Sequence, residues 1–400
     1  MKFSRREFLE SAAVTSAALA TSPAAVAQAG KPTPAASIEK PVIVCKYTGI
    51  QSIDGAYELM RRGGDTLDSA ILVLKGQEDD PNDDSVGLGG LPNEDGEVEL
   101  DASVMHGPTR RAGAVGAVRR IKNVSLLAKT VMEHTGHVLV VSEGASKIAK
   151  LHGFTEENLL TERSRKIWQL WKETMSDQDW WGPGIADPKW KPPTDLTGVP
   201  VAEQRTKHLH EVAAEIGIEP GWRDYAVAQV MTPPTGTIPC ITLNEKGDMS
   251  AAVSTSGLAW KIMGRLGDSP IIGAGIYLDP DVGGAGVTGN GEENIKIAGS
   301  HTVVEAMRRG LDPKEAAMEA LKQLVRFYRN DMTRLRYINL VFHVLRRDGA
   351  YAGVALWSLT SSGKQFQIAV HDGSKRLENV TAMFEGRGLS WPPIPVLPKS

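Results

Sequence analysis

A threonine follows a glycine, Gly236-Thr237, where a stretch rich in proline and tryptophan gives way to an apolar run from Ile238 to Leu243. That setting suits a backbone N-to-O acyl shift. Glycine leaves the threonine hydroxyl unobstructed, and its backbone can take strained conformations. A chain cut there would begin with Thr237, which would hold a nucleophilic hydroxyl and, in its own α-amine, an adjacent base. Taken alone, a Gly-Thr pair is an ordinary strand start. Downstream, Gly264-Arg265-Leu266-Gly267-Asp268 sets a guanidinium and a carboxylate three residues apart in a glycine-rich turn. A cation for an α-carboxylate and an anion for an α-ammonium are what an amino-acid pocket needs, and arginine supplies a bidentate fork. The plainer alternative is a surface ion pair. The run Gly283-Gly284-Ala285-Gly286-Val287-Thr288-Gly289 contains a literal G-x-G-x-x-G. A nucleotide site would need a strand before it and a helix opening within it. Turn formers flank it on both sides (Asp279-Pro280-Asp281 and Asn290-Gly291), which excludes that use. The run reads instead as a backbone nest whose amides, with the Thr288 hydroxyl, face a developing oxyanion.

These groups need a scaffold. Pro41 to Cys45 reads as a buried strand, Ser52 to Arg62 as a helix closed by Gly63-Gly64, and Thr66 to Lys75 as a second helix. A Gly/Asp loop spans Asp83 to Gly90. Residues 123–135 have helical periodicity, and His137 to Val141 looks like a strand. Residues 161–236 hold Trp168, Trp171, Trp180, Trp181, Trp190 and Trp222 among scattered prolines, and read as a long, partly ordered connection with a helix near Glu211. Regular structure resumes at Thr237: a strand to Leu243, a hairpin turn over 244–248, and a returning strand from Met249 to Ser254. Residues 300–328 read as helical, and strands follow near 338–346 and 351–358. Strands and helices come in runs instead of alternating, which favours packed antiparallel sheets flanked by helices.

Across two long blocks the sequence resembles the glycosylasparaginases and plant-type asparaginases, a family of N-terminal-nucleophile hydrolases. The second block carries Thr237-Ile238, Ser254-Thr255-Ser256-Gly257, Gly264-Arg265, Gly267-Asp268-Ser269-Pro270 and Thr288-Gly289. The first carries Ser85-Val86-Gly87-Leu88-Gly89-Gly90, Leu100-Asp101-Ala102 and Arg120-Ile121-Lys122-Asn123. The resemblance implies an α+β, four-layer αββα sandwich of two mainly antiparallel sheets flanked by helices. It also implies autocatalytic cleavage between Gly236 and Thr237, giving an α-subunit over 28–236 and a β-subunit over 237–400. By matching position, Thr237 is the nucleophile and Thr255 assists it. Arg265 and Asp268 bind the substrate carboxylate and amine, Thr288 and Gly289 form the oxyanion hole, and Ser85 has a supporting role. The implied substrate is a small asparagine-type amide, with no metal or organic cofactor, and the implied assembly is a dimer of cleaved αβ units. Isoaspartyl dipeptides are an alternative substrate. Outside the class, a non-cleaving periplasmic amino-acid-binding protein could use the same Arg265/Asp268 pocket.

The chain also departs from the family pattern. Where glycosylasparaginases usually carry His-Asp before the nucleophile, it has Thr235-Gly236, the plant-type arrangement, so self-cleavage cannot use an aspartate there. Pro239 replaces a usual glycine and removes a backbone donor, which suggests an edge strand or a bulge. The aromatic pair expected at a glycan entrance falls on Tyr47 and Gly49.

The chain has 400 residues and a formal net charge of −3, which gives no field for nucleic acid. The cluster Arg110, Arg111, Arg119, Arg120 and Lys122 reads as solvated helix edges. Whether Cys45 and Cys240 pair is left open by sequence. At the N-terminus, Ser4-Arg5-Arg6-Glu7-Phe8-Leu9, an apolar stretch to Ala20 and Ala25-Val26-Ala27 form a twin-arginine signal over 1–27. The mature protein is then expected in the periplasm or outside the cell, starting near Gln28 and free of the membrane. His208-Leu209-His210 reads as a polar patch, and Ser361-Ser362-Gly363-Lys364 as a turn without companion motifs.

Overall fold

The computed structural model describes residues 38–174, 199–234, 236–360 and 362–389. The signal sequence, Trp180, Trp181, Trp190, Thr235 and Ser361 lie outside the described residues. The strands are β1 (Val42–Lys46), β2 (Glu99–His106), β3 (Arg111–Arg119), β4 (Leu139–Val141), β5 (Gly236–Leu243), β6 (Met249–Gly257), β7 (Ile276–Asp279), β8 (Gly283–Gly289), β9 (Leu340–Arg346), β10 (Tyr351–Leu359), β11 (Gln367–His371), β12 (Lys375–Asn379) and β13 (Thr381–Arg387). They form an eight-stranded sheet, β12-β11-β1-β5-β6-β2-β3-β4, and a five-stranded sheet, β13-β10-β9-β8-β7. Pairing is antiparallel except for β3 with β4 and β10 with β13.

Alternation along the strands builds the layers. On β5, Ile238 and Cys240 join a core with the helices Ile53–Arg61, Thr66–Glu78, Val124–His134 and Ser142–Leu151. Their neighbours Ile241 and Leu243 point the other way and meet Ile276, Leu278 and Leu345 of the second sheet. The outer face of that sheet, with Ala285, Val287, Phe342 and Val344, packs on helices Gly299–Arg308 and Pro313–Phe327. The result is the αββα sandwich. The two helices after residue 299 are separate because Gly310 takes φ +100° and Asp312 opens a capping box with Glu315, followed by proline at the first turn.

Four expectations are corrected. The 161–236 connection is largely helical where described, with helices Glu162–Thr174, Val199–Glu215 and Pro220–Met231. Trp171 stacks on Trp260 at 4.9 Å and 7°, so these helices have an apolar core of their own around Trp260. The basic cluster lies around β3, not on helix edges; Arg119 pairs with Glu99 at 2.8 Å and Arg110 with Asp281 at 2.7 Å. The glycine run 283–289 is strand β8, not a nest. A Cβ on Gly286 would stand 2.6 Å from Pro239 Cβ, so small residues let this strand pass close beneath β5. Pro239 itself sits in a central strand. It is tolerated because β1 ends its pairing at Cys45 opposite Cys240 and turns off at Lys46, leaving Pro239 paired only with Val253 of β6. Cys45 and Cys240 are buried free thiols facing each other across that pair.

Candidate active site

The alternation that fills the inter-sheet core also sets which side chains meet at its end. Thr237 shares its face with Pro239 and Ile241, and Thr255 shares its face with Val253. From the second sheet, Thr288 and His343 alternate with the outward-facing Val287 and Phe342, and Lys46 follows Val44 on β1. All five therefore point between the sheets.

At the scissile position the β5–β6 ladder slips. Gly236 pairs with Gly257 but Thr237 with Thr255, so Ser256 is the extra residue of a bulge that falls on the Gly236–Thr237 bond. Thr237 is buried, and its hydroxyl donates to Thr255 Oγ1 at 3.1 Å. Thr255 Oγ1 in turn donates to the Gly236 carbonyl oxygen and accepts from Gly257 N at 2.9 Å. One hydroxyl thus joins the nucleophile to the carbonyl it would attack. The bulge is braced from behind: the buried Lys261 ammonium donates to the carbonyls of Ser256 at 3.1 Å and Glu99 at 3.0 Å. Ser256 N and Oγ donate to the Ser85 carbonyl at 3.0 and 2.7 Å.

Glycine at 236 is a steric requirement. A Cβ there would fall inside the Ser85 side chain, closer than non-bonded atoms approach. Gly236→Ala is expected to slow self-cleavage by at least ~10-fold, since a displacement of an ångström or so from reacting geometry costs about that or more. A time course of intact mass checks this.

Beside Gly236 and Ser85 opens a cavity of about 520 Å3, also lined by Thr288, Gly289, Lys46, Tyr47, Asp83, Gln229, Asn339 and His343. An asparaginase family model matches residues 45–332, most of the chain. The chain belongs to the asparaginase family. An N(4)-(beta-N-acetylglucosaminyl)-L-asparaginase of Elizabethkingia miricola is 32% identical over 93% of each chain. The Mus musculus protein of that name is 33% identical, over 75% of this chain and 82% of its own. A putative member from Drosophila melanogaster is 36% identical, over 74% and 70%. The two sheets with flanking helices are the N-terminal-nucleophile hydrolase sandwich of this asparaginase family.

In this family member the Arg265/Asp268 pair has acquired partners that the sequence pattern did not disclose. Arg265 Nε and Nη2 lie 2.7 and 2.5 Å from Glu292 Oε1. Its Nη1 lies 3.3 Å from where a Cβ on Gly257 would stand, which brings the guanidinium to the end of β6, two residues from Thr255. Asp268 is buried and accepts from Asn294 Nδ2 at 2.8 Å. Burial pushes its carboxyl up to about 6, against the lowering effects of the Asn294 hydrogen bond and the Arg265 charge. Both partners lie in Gly291–Ile297, the helix that starts two residues after Gly289, so proximity in sequence was the available signal.

Three further side chains escaped the sequence reading. Asp83 accepts from Ser85 N at 2.8 Å and Ser85 Oγ at 2.5 Å. His343 is buried with neither ring nitrogen hydrogen-bonded, and burial followed by the Lys46 charge lowers it to about 3. Lys46 is itself lowered by desolvation, opposed by Asp83. His343 and Lys46 sit in no local pattern, because strand pairing and sheet stacking bring them to the site, whereas Asp83 meets Ser85 two residues on in the same loop. The Leu100-Asp101-Ala102 motif proves structural: Asp101 Oδ1 accepts from Ala117 N at 2.8 Å, pinning β3 where Ala117 takes φ +49°.

Proposed function

We propose that the chain cuts itself between Gly236 and Thr237 and then hydrolyses the side-chain amide of N4-(β-N-acetylglucosaminyl)-L-asparagine or L-asparagine through a β-aspartyl ester on Thr237. The observation that carries this is the Thr255 hydroxyl, bonded at once to Thr237 Oγ1 and to the Gly236 carbonyl. In maturation, Thr237 Oγ bonds to the Gly236 carbonyl carbon, Thr255 stabilises the oxyanion, and the C–N bond breaks as the hydroxyl proton passes to nitrogen. That step frees the Thr237 α-amine; water then splits the ester, freeing the Gly236 carboxylate and restoring the Thr237 hydroxyl. In turnover the α-amine takes the proton of Thr237 Oγ as that oxygen attacks the substrate amide, and returns it to the leaving amine. Thr288 and Gly289 receive the oxyanion. Arg265 holds the α-carboxylate and Asp268 the α-ammonium, and a second water releases aspartate.

The cavity supports a leaving group larger than ammonia, as do the names of the relatives. Lys46 in its lining favours a second reading, a β-aspartyl dipeptide whose departing amino acid brings a carboxylate. The Arg5-Arg6 leader makes the periplasm or the exterior the place of action, and a dimer of αβ units is the proposed assembly. The test is a denaturing gel with N-terminal sequencing of wild-type protein, followed by assays on the three substrates. A second chain beginning at Thr237 and release of aspartate are expected. A single uncut chain that binds asparagine without hydrolysing it would leave the amino-acid-binding alternative standing.

A further inference from the structure

We infer that Asp83 is a positioning residue for the Thr237 amine. It holds the Ser85 hydroxyl with its proton turned away from Gly236, so that an oxygen lone pair and a nearby negative charge face the amine that cleavage frees. This rests on the reading of Thr237 as the nucleophile.

Three observations converge on it. First, Ser85 is clamped from both sides: Oγ and N both donate to Asp83 Oδ1, while its carbonyl accepts from Ser256 at the bulge. With its proton committed to a carboxylate, the hydroxyl can only accept on its other side. Second, Ser85 fills the space of a side chain at position 236, which places Oγ against Gly236 Cα, two covalent bonds from Thr237 N. Position 236 can therefore bring no carboxylate to the scissile bond, and Asp83 supplies one at a distance of one hydroxyl. Third, Asp83 is oriented from behind. Its Oδ2 accepts from Gln77 Nε2 at 2.6 Å, and Gln77 Oε1 accepts from Thr48 Oγ1 at 2.6 Å. A helix residue, a residue of the turn after β1 and a loop residue thus aim one serine at the nucleophile.

The electrostatic consequence follows from the proton transfer. In turnover the Thr237 hydroxyl proton moves to the α-amine, which becomes an ammonium until it protonates the leaving group. A carboxylate nearby favours that ammonium, and a cation disfavours it. Lys46 on β1 and His343 on β9 line the same cavity, with Asp83 the carboxylate of that lining. Asp84 is turned away to Tyr225 Oη at 2.5 and 2.7 Å. Lys261 and Arg265 approach Gly257 at the end of β6, with Arg265 paired to Glu292, while Asp268 is held by Asn294. Without the Asp83 charge, Lys46 would act uncompensated, and the amine would bind its proton less well.

The experiment uses the full chain with Asp83→Asn, Ser85→Ala and the double variant, followed by intact mass over time and by kcat/KM for L-asparagine and for glycoasparagine against pH. Matured Asp83→Asn is expected to lose about tenfold in kcat, with the acid limb of kcat/KM displaced to lower pH by roughly half a unit to one unit. Ser85→Ala should lose a similar factor in kcat with a smaller displacement of the limb, because the Asp83 charge remains, and the double variant should be no worse than Asp83→Asn. A purely structural role would lower activity without moving the limb. A wild-type profile in Asp83→Asn, an unmoved limb, or additive losses in the double variant would overturn the assignment. If Asp83→Asn stays uncut, Asp83→Glu decides: restored cutting supports the role of the charge, and an uncut glutamate variant refutes it. A wild type that neither cuts itself nor turns over would remove the Thr237 reading and this assignment with it. A competent wild type matched by its variants would remove this assignment alone.

Discussion

Thr237→Ala is expected to yield one uncut chain with no amidase activity, a loss on the order of 10⁴-fold or more. Alanine has no oxygen to attack the Gly236 carbonyl, and the Thr255 hydroxyl then loses its donor partner while still capping that carbonyl. Two milder variants separate maturation from turnover. Thr237→Ser keeps the oxygen but loses the methyl that restricts rotation about χ1. It should cut more slowly and give a weaker enzyme. Thr237→Cys can perform the acyl shift, but its longer bonds misplace sulfur for amide attack, so cutting should survive better than activity. Intact mass and N-terminal sequencing follow the cut, and aspartate release follows turnover. Full activity in uncut Thr237→Ala protein would end the mechanism.

The second large effect is expected at Asp268, where function and stability should move in opposite directions. Asp268→Asn removes the anion proposed for the substrate ammonium, a charge-assisted contact worth roughly 1.5–3 kcal/mol, and should lower kcat/KM about ten- to hundredfold. Its effect on stability follows from linkage. Burial raises the folded carboxyl to about 6 from an ordinary value of 3.8, so the folded state binds the proton more tightly than the unfolded one. Stability from this group is then greatest below about 3.8 and falls as pH rises through about 6. Asparagine carries no such penalty. The variant should therefore melt higher than wild type above pH ~6, by at most on the order of 3 kcal/mol, with the gain vanishing near pH ~4. Wild-type KM should also rise as pH falls below about 6, since a protonated Asp268 cannot pair with an ammonium. Calorimetry and kinetics across pH 4–8 test both halves. A variant that melts below wild type at neutral pH would show that the carboxylate is stabilised in the fold.

What the sequence disclosed and what it hid divide along physical lines. The Gly-Thr boundary, the Arg265/Asp268 turn and the Thr237–Leu243 hairpin arm are local patterns, and each sits where its neighbours in sequence put it. Strand alternation alone already places Thr237 on the face of Ile241 and Thr255 on that of Val253. The glycine run at 283–289 misled because a strand passing close beneath Pro239 needs small residues, and small residues also look like a loop. The connector misled because its helices bury their apolar faces on each other and on Trp260, a partner some ninety residues from Trp171. Asp83 meets Ser85 two residues on, but Gln77 and Thr48 are ordinary polar residues until the fold lines them up behind Asp83.

The order of the eight-stranded sheet has one more consequence. A cut before Thr237 would leave β1 on one polypeptide, held between β11 and β5 of the other, and β2 held against β6. Each fragment would own strands whose neighbours belong to its companion, so neither could rebuild the sheet alone. The continuous chain must therefore finish folding before it is severed. A severed molecule that melts faces a bimolecular search through two aggregation-prone halves, and its service life is governed by how slowly it first comes apart.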